Sequence, residues 1–261
     1  MAYLTNGSLD FYYEEKGQGT PLVLIHGLGS SSRDWELQMA VFTEHFHVIA
    51  LDLRGHGKTS KPPGPYSMEL YGKDTAWLIE ELGLGSAIVL GISLGGMVAL
   101  QLALDYPEVV KKLVIVNSTP DMVPRTIQQK ISVWQRILIV RLLGMRKMGQ
   151  VLADRFLPHP NQKELRKIFI ERWADNDKPA YFEALKGVFG WSVLDRLGEI
   201  KCPTLVIGAD GDYFPIAEKE AYTSLIPNAR LEIVENSMHA LPAEKPGKFN
   251  QIVLDFLLEL V

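Results

Sequence analysis

Gly91-Ile92-Ser93-Leu94-Gly95, with Gly96 behind it, is the stretch on which the fold turns. Ahead of it, Ala87 to Leu90 is apolar at every position, the composition of a strand covered on both faces. Beyond it, Leu94 to Tyr106 has the Ala, Leu and Met content of a helix, and Pro107 stops it. Ser93 therefore sits on a strand-turn-helix elbow. A serine aimed out of so tight a turn takes up strained backbone angles, so its flanks must lack a bulky Cβ, and Gly91 and Gly95 meet that condition. The following helix turns its free N–H groups and the positive end of its dipole toward any oxyanion formed at the serine.

The rest of the chain supports this reading. The 261 residues, 47% hydrophobic and 22% charged, suffice for one large core or a core with an inserted subdomain. A formal charge of −4 gives no electrostatic case for nucleic acid. One cysteine, Cys202, rules out an internal disulfide framework and fits a reducing compartment; just before Pro203 at a strand start, it reads as structural. Met1 to Asp10 has neither a basic region nor an apolar run, so a cytoplasmic location is expected. Leu82 to Leu104 lacks charge over a length that could cross a membrane. Five glycines and a midway change from strand-like to helix-like composition assign it instead to a buried strand and a buried helix.

Taken in order, Leu9 to Glu14 alternates like an edge strand, and Pro21 to Ile25 is a continuous apolar run ending at His26-Gly27-Leu28-Gly29. Val48 to Leu51 ends at Asp52-Leu53-Arg54-Gly55-His56-Gly57; Met68 to Leu82 has helical periodicity; Leu113 to Val116 is a further short strand. From 121 to 196 the pattern becomes helix upon helix. Strands resume at Pro203 to Ile207 and Ala229 to Val234, with helices near Ala217 to Leu225 and Pro246 to Leu260. Alternating strand and helix predicts an α/β fold: a mostly parallel central sheet, helices on both faces, functional groups beyond the carboxyl ends of the strands. Residues 1–120 and 197–261 form its core, and 121–196 a helical cap inserted in it.

A nucleophilic serine needs a base to take its proton and an acid to orient that base. His239, in Asn236-Ser237-Met238-His239-Ala240, follows the last strand and is the one histidine beyond the insertion. Asp210 and Asp212, in Gly208-Ala209-Asp210-Gly211-Asp212-Tyr213-Phe214-Pro215, are both placed to be the acid.

These motifs together, His26-Gly27, Asp52-x-Arg54-Gly55-x-Gly57, the Ser93 elbow, the acid loop after Pro203, and His239 with Glu244 and Pro246, resemble the α/β-hydrolase superfamily, its carboxylesterase- and lipase-like members in particular. The resemblance spans about residues 9 to 260. It implies Ser93 as nucleophile, His239 as general base, Asp212 as acid, and the backbone N–H groups of Leu28 and Leu94 as the oxyanion hole. Asp212 fits the family spacing from Pro203, but the stretch to Pro215 is one residue short, which keeps Asp210 as the alternative. Ile92 and Met238 replace a histidine and a glycine common among relatives and bear on pocket shape; Trp134 in the cap is a third candidate for substrate contact.

His26 reads as a brace for the oxyanion loop, and Arg54 and His56 as structural. His45 and His47 lack a third ligand at zinc spacing, so neither metal nor cofactor is implied. A dinucleotide fold would use Gly27-x-Gly29 and Asp52, but Ser32 stands at its third glycine position and the triad candidates would go unexplained. The reaction implied is cleavage of small apolar carboxylic esters through an acyl-enzyme. Lactone hydrolysis, carbon–carbon bond hydrolysis, perhydrolysis and slow-turnover ligand reception share the fold.

The cap carries fourteen Lys and Arg against eight Asp and Glu, while the remainder carries thirteen against twenty-three. From Arg125 to Lys147 there are six basic residues and no acid, with Ile131, Trp134, Leu138, Leu142 and Met145 near one helical face. The expected arrangement is a lid helix with that face over the pocket and its basic face in water. The other reading is a helix that meets an interface or an anionic substrate.

Overall fold

The computed structural model describes residues 2–259. Its strands are β1 (Ala2–Asn6), β2 (Leu9–Lys16), β3 (Pro21–Ile25), β4 (His47–Leu51), β5 (Ala87–Ile92), β6 (Val110–Val116), β7 (Thr204–Ala209) and β8 (Ala229–Val234). They form one sheet in the order β1-β2-β4-β3-β5-β6-β7-β8. Only the β1–β2 and β2–β4 pairs are antiparallel. The helices are α1 (Glu36–Phe42), α2 (Met68–Glu81), α3 (Leu94–Asp105), α4 (Ile127–Phe156), α5 (Lys163–Ala174), α6 (Lys178–Val188), α7 (Ile216–Thr223), α8 (Leu241–Glu244) and α9 (Pro246–Leu258).

Strand periodicity divides the core. Leu22, Leu24, Ile88, Leu90, Leu205 and Ile207 face one way and pack with Phe42 of α1 and Phe249 and Val253 of α9. Val23, Ile25, Val89 and Val206 face the other way, against Ile79 of α2, Val98 of α3 and Tyr222 of α7. Two-sided burial is why β3, β5 and β7 read as unbroken apolar runs. β1 escapes the sequence reading because, at the sheet edge, it buries little and shows no apolar run. The uncharged stretch 82–104 divides between β5 and α3, and no helix among the described residues is long and apolar enough to cross a membrane.

The chain passes from β3 to β4 on one side and then to β5 on the other. The carboxyl ends of β3 and β5 thus flank the switch point of the sheet, where a crevice opens. Helices α4, α5 and α6, all between β6 and β7, close over that crevice around Met145, Met148, Phe156, Trp173 and Leu185.

Candidate active site

Ser93 leaves β5 with φ 55° and ψ −117°, outside the regions a side chain adopts without strain, and α3 begins at the next residue. The flanking glycines allow this by close approach. A Cβ on Gly91 would lie 2.1 Å from the Gly95 carbonyl oxygen, and one on Gly95 would lie 2.1 Å from that of Ile25. The Ser93 N–H donates to Val116 at 2.9 Å, and the Ser118 hydroxyl donates to the Ser93 carbonyl at 2.7 Å. Leu94, as the first residue of α3, has an N–H without an intrahelical acceptor. The loop after β3 runs beside it: a Cβ on Gly27 would lie 3.5 Å from Ser93 Cβ.

That loop is braced from behind. The Leu53 N–H donates to His26 Nε2 at 3.0 Å, which leaves the proton on Nδ1, 2.8 Å from the Gly27 carbonyl. Burial holds His26 below its ordinary pKa, and holds His56 down to about 3. Asp52 receives the N–H groups of Ser32 and Lys58 at 2.6 and 2.7 Å, while Arg54 forks onto Asp74 at 2.7 and 2.6 Å. The Asp52-to-Gly57 motif thereby ties the loop after β4 to the loop after β3.

His239 Nδ1 lies 2.7 Å from Asp212 Oδ1, both groups buried. The other carboxylate oxygen of Asp212 meets the Lys219 ammonium at 2.7 Å, in a pair with no solvent exposure on either side. Burial alone would raise the Asp212 pKa; His239 and Lys219 outweigh it and hold the carboxyl below its ordinary value. Asp210 is elsewhere. It accepts the N–H groups of Asn236 and Ser237 at 2.8 and 3.0 Å, so it clamps the loop that carries the histidine. Those N–H groups, Ser237 first, lower its pKa. Asn117, at φ 42°, joins the two loops, donating to the His239 carbonyl at 3.0 Å and accepting from the Ala209 N–H at 2.8 Å. Glu244 accepts the Met238 N–H at 2.6 Å and is reached at 2.9 Å by Gln162 from the helical insertion between β6 and β7.

Tyr213 joins the site although its sequence context did not mark it as a functional residue. Its hydroxyl lies 3.4 Å from Ser93 Oγ and 3.4 Å from His239 Nε2, so it bridges groups that make no direct hydrogen bond to each other. Burial, with the Asp212 charge behind it, pushes the phenol up to about 12. Phe156 of α4 stacks on Tyr213 with ring centroids 5.8 Å apart and covers His239 at 4.5 Å. The one mark of Tyr213 in the sequence is its place directly after Asp212 in the acid loop.

Ser93, His239, Tyr213, Leu28, Leu94 and Ile92 all line one cavity of about 170 Å³. Its walls are otherwise mainly apolar, from Met97, Leu152, Phe156, Phe169, Trp173 and Leu185. Two residues expected at the pocket are not on its wall. Trp134 is 70% exposed on the outer side of α4, and Met238 is turned toward Gly211. Arg136 takes the inward position instead, its Nε donating to the Tyr181 hydroxyl at 2.5 Å, with the guanidinium beside the Trp173 and Tyr181 rings. Among the described residues no group of three or more metal-ligating side chains converges.

Residues 20–246 match the family described as alpha/beta hydrolase fold. The chain belongs to that family. It is 29% identical to a 3-oxoadipate enol-lactonase of Acinetobacter baylyi, over 89% of this chain and 86% of the relative. Among solved structures, an enol-lactonase from Burkholderia xenovorans superposes with a TM-score of 0.91 at 23% identity, over 99% of this chain and all of the other. A thermophilic esterase from Thermogutta terrifontis, with malate bound, superposes at 0.88 and 25% identity, over 98% and 97% of the two chains. Family membership supports hydrolase activity.

Proposed function

We propose that this protein is a serine hydrolase that cleaves carboxylic esters by acyl transfer, with Ser93, His239 and Asp212 as its triad. The observation that carries the reading is the buried His239–Asp212 bond of 2.7 Å. It fixes the proton on Nδ1 and leaves Nε2 as a base facing the serine side of the cavity.

Ser93 Oγ attacks the acyl carbon, and its proton passes to the Tyr213 hydroxyl as the tyrosine proton passes to His239 Nε2. Asp212 stabilises the imidazolium that results. The N–H groups of Leu28 and Leu94 hold the developing oxyanion. Return of the proton along the same path releases the alcohol, and water then cleaves the acyl-enzyme. The helices of residues 121–196 serve as a cap that excludes solvent and shapes an apolar site.

Arg136 favours a second reading within the same chemistry. It is a cation on an apolar wall with no carboxylate within ion-pair distance among the described residues, so it suits an ester or lactone that bears a carboxylate. A relative named as an enol-lactonase supports the same class. Hydrolysis of p-nitrophenyl esters from acetate to palmitate, beside an ester and a lactone carrying a carboxylate, tests both readings. Arg136→Met should raise KM for the carboxylate-bearing substrates about tenfold or more and leave neutral esters little changed. Equal effects on both sets would remove the carboxylate assignment, and no ester turnover by wild type would remove the esterase.

A further inference from the structure

Helix α4 breaks at Gly144, where φ is 81° and ψ 177°, and its two halves behave oppositely. Residues 145–156 bury Met145, Met148, Leu152 and Phe156 in the cap core. Residues 127–143 turn their apolar face outward: Ile127 is 79% exposed, Trp134 70% and Leu142 69%, and Ile131, Leu138 and Leu143 are exposed beside them. Positions 127, 131, 134, 138 and 142 fall within roughly 80° of helical arc and about 22 Å of length. This corrects the expected lid, in which the stripe faced the pocket. Arg136, Ile137 and Val140 lie on the inner side instead.

Nothing frayed explains the exposure. Thr126 and Gln129 cap the start of the helix reciprocally, at 3.1 and 3.0 Å. A capped helix that keeps six large apolar side chains in water marks a surface that meets something. The charge beside it narrows what. No acidic residue occurs between Asp121 and Asp154. Arg125 is paired with Asp121 and Arg146 with Glu171, but Lys130, Arg141 and Lys147 form no ion pair among the described residues. Lys178, held on the Arg141 carbonyl at 2.8 Å, adds a further cation at the same end. A second copy docked face to face through this stripe would bring the two sets of cations together. An anionic lipid surface accepts both the apolar stripe and the cations that flank it.

We propose that residues 127–143 lie in the plane of an anionic lipid surface, with the apolar stripe among the acyl chains and Lys130, Arg141, Lys147 and Lys178 at the headgroups. The active-site cavity opens behind the same helix, which carries Arg136 on its inner side. Docking would therefore bring the cap, and the site it covers, to the source of apolar substrates. The binding itself does not rest on the esterase reading, since it is read without substrate.

The test is co-sedimentation of the full chain with vesicles of phosphatidylcholine alone and of phosphatidylcholine mixed with phosphatidylglycerol. The expected result is binding to the mixed vesicles, at least about tenfold weaker on phosphatidylcholine alone, and weakened by added salt. Trp134 emission should shift to the blue on binding, and Trp134→Phe should abolish most of that shift. Lys130→Ala with Arg141→Ala should weaken binding roughly 25-fold, each cation being worth about a factor of five. Leu138→Ser with Leu142→Ser should abolish it while circular dichroism and turnover of a soluble ester are unchanged. Absence of binding to the mixed vesicles, or equal and salt-insensitive binding to both kinds, would overturn the proposal. So would a dimer in sedimentation velocity that the Leu138 and Leu142 changes dissolve, since a second copy would then be the occupant.

Discussion

Lys219→Met is the change whose cost the structure specifies most closely. The Lys219 ammonium is fully buried, 2.7 Å from Asp212 Oδ2, and also donates to the Phe214 carbonyl. Its aliphatic stem packs on β7, where a Cβ on Gly208 would lie 2.7 Å from Lys219 Cδ. Methionine retains most of that stem, so the cavity left is small and the loss is mainly electrostatic. Removing one partner of a buried ion pair costs about 3–5 kcal/mol, because the other charge is left in a low-dielectric site. At about 2–4 °C per kcal/mol for a chain of this size, Tm should fall by roughly 6–20 °C. The paired test is a cycle with Asp212→Asn. The double variant leaves no orphaned charge, so it should be less destabilised than the sum of the singles, by up to about 3 kcal/mol. Urea unfolding at pH 7 of the four proteins reads all the terms. A Lys219→Met protein within about 0.5 kcal/mol of wild type, or strictly additive single changes, would show that the Lys219–Asp212 pair does not carry this stability.

Asp212→Asn should lower kcat by about 10³-fold or more on a soluble ester, because the amide no longer orients or charge-stabilises His239; Asp210→Asn, acting only through the Asn236 and Ser237 N–H groups, should cost far less. The reverse order would make Asp210 the acid. Tyr213→Phe should lower kcat by about 10²-fold if its hydroxyl relays the proton, with a changed solvent isotope effect, whereas undiminished kcat would send the proton directly to His239. Buried His56 titrates near 3 when folded and at 6.5 in a free chain, so only the unfolded state takes up a proton between those values. Stability should therefore fall as pH drops below 6.5, by about 2 kcal/mol at pH 5 from His56 alone, and His56→Asn should flatten the slope in urea titrations at pH 7.5 and 5. His26, also held below its ordinary value by burial, adds in the same direction.

What could be read from the sequence follows from which features depend on near neighbours in the chain. β3 and β8 were legible to their end residues, β3 because burial on both faces leaves an unbroken apolar run. The elbow at Ser93 was legible because the close backbone approaches at Gly91 and Gly95 exclude any Cβ. The outward turn of α4 was not, because its amphipathicity shows that two faces differ without showing which one the core takes. That choice depends on Trp173 and Tyr181, which receive Arg136 from α5 and α6. Lys219 stands in the short helix α7 like any surface lysine, and only the return of α7 past β7 buries it beneath Asp212. Tyr213 was not legible, because the groups that define its place, Ser93, Phe156 and His239, come from distant parts of the chain and meet only in the fold.

The most direct test of the central claim is the hydrolysis of p-nitrophenyl butyrate by wild type and Ser93→Ala, at matched concentration and with circular dichroism confirming both folds. Multiple turnover by wild type and a fall of at least about 10³-fold in kcat for the variant are expected. Turnover by Ser93→Ala at a rate comparable to wild type would contradict that claim.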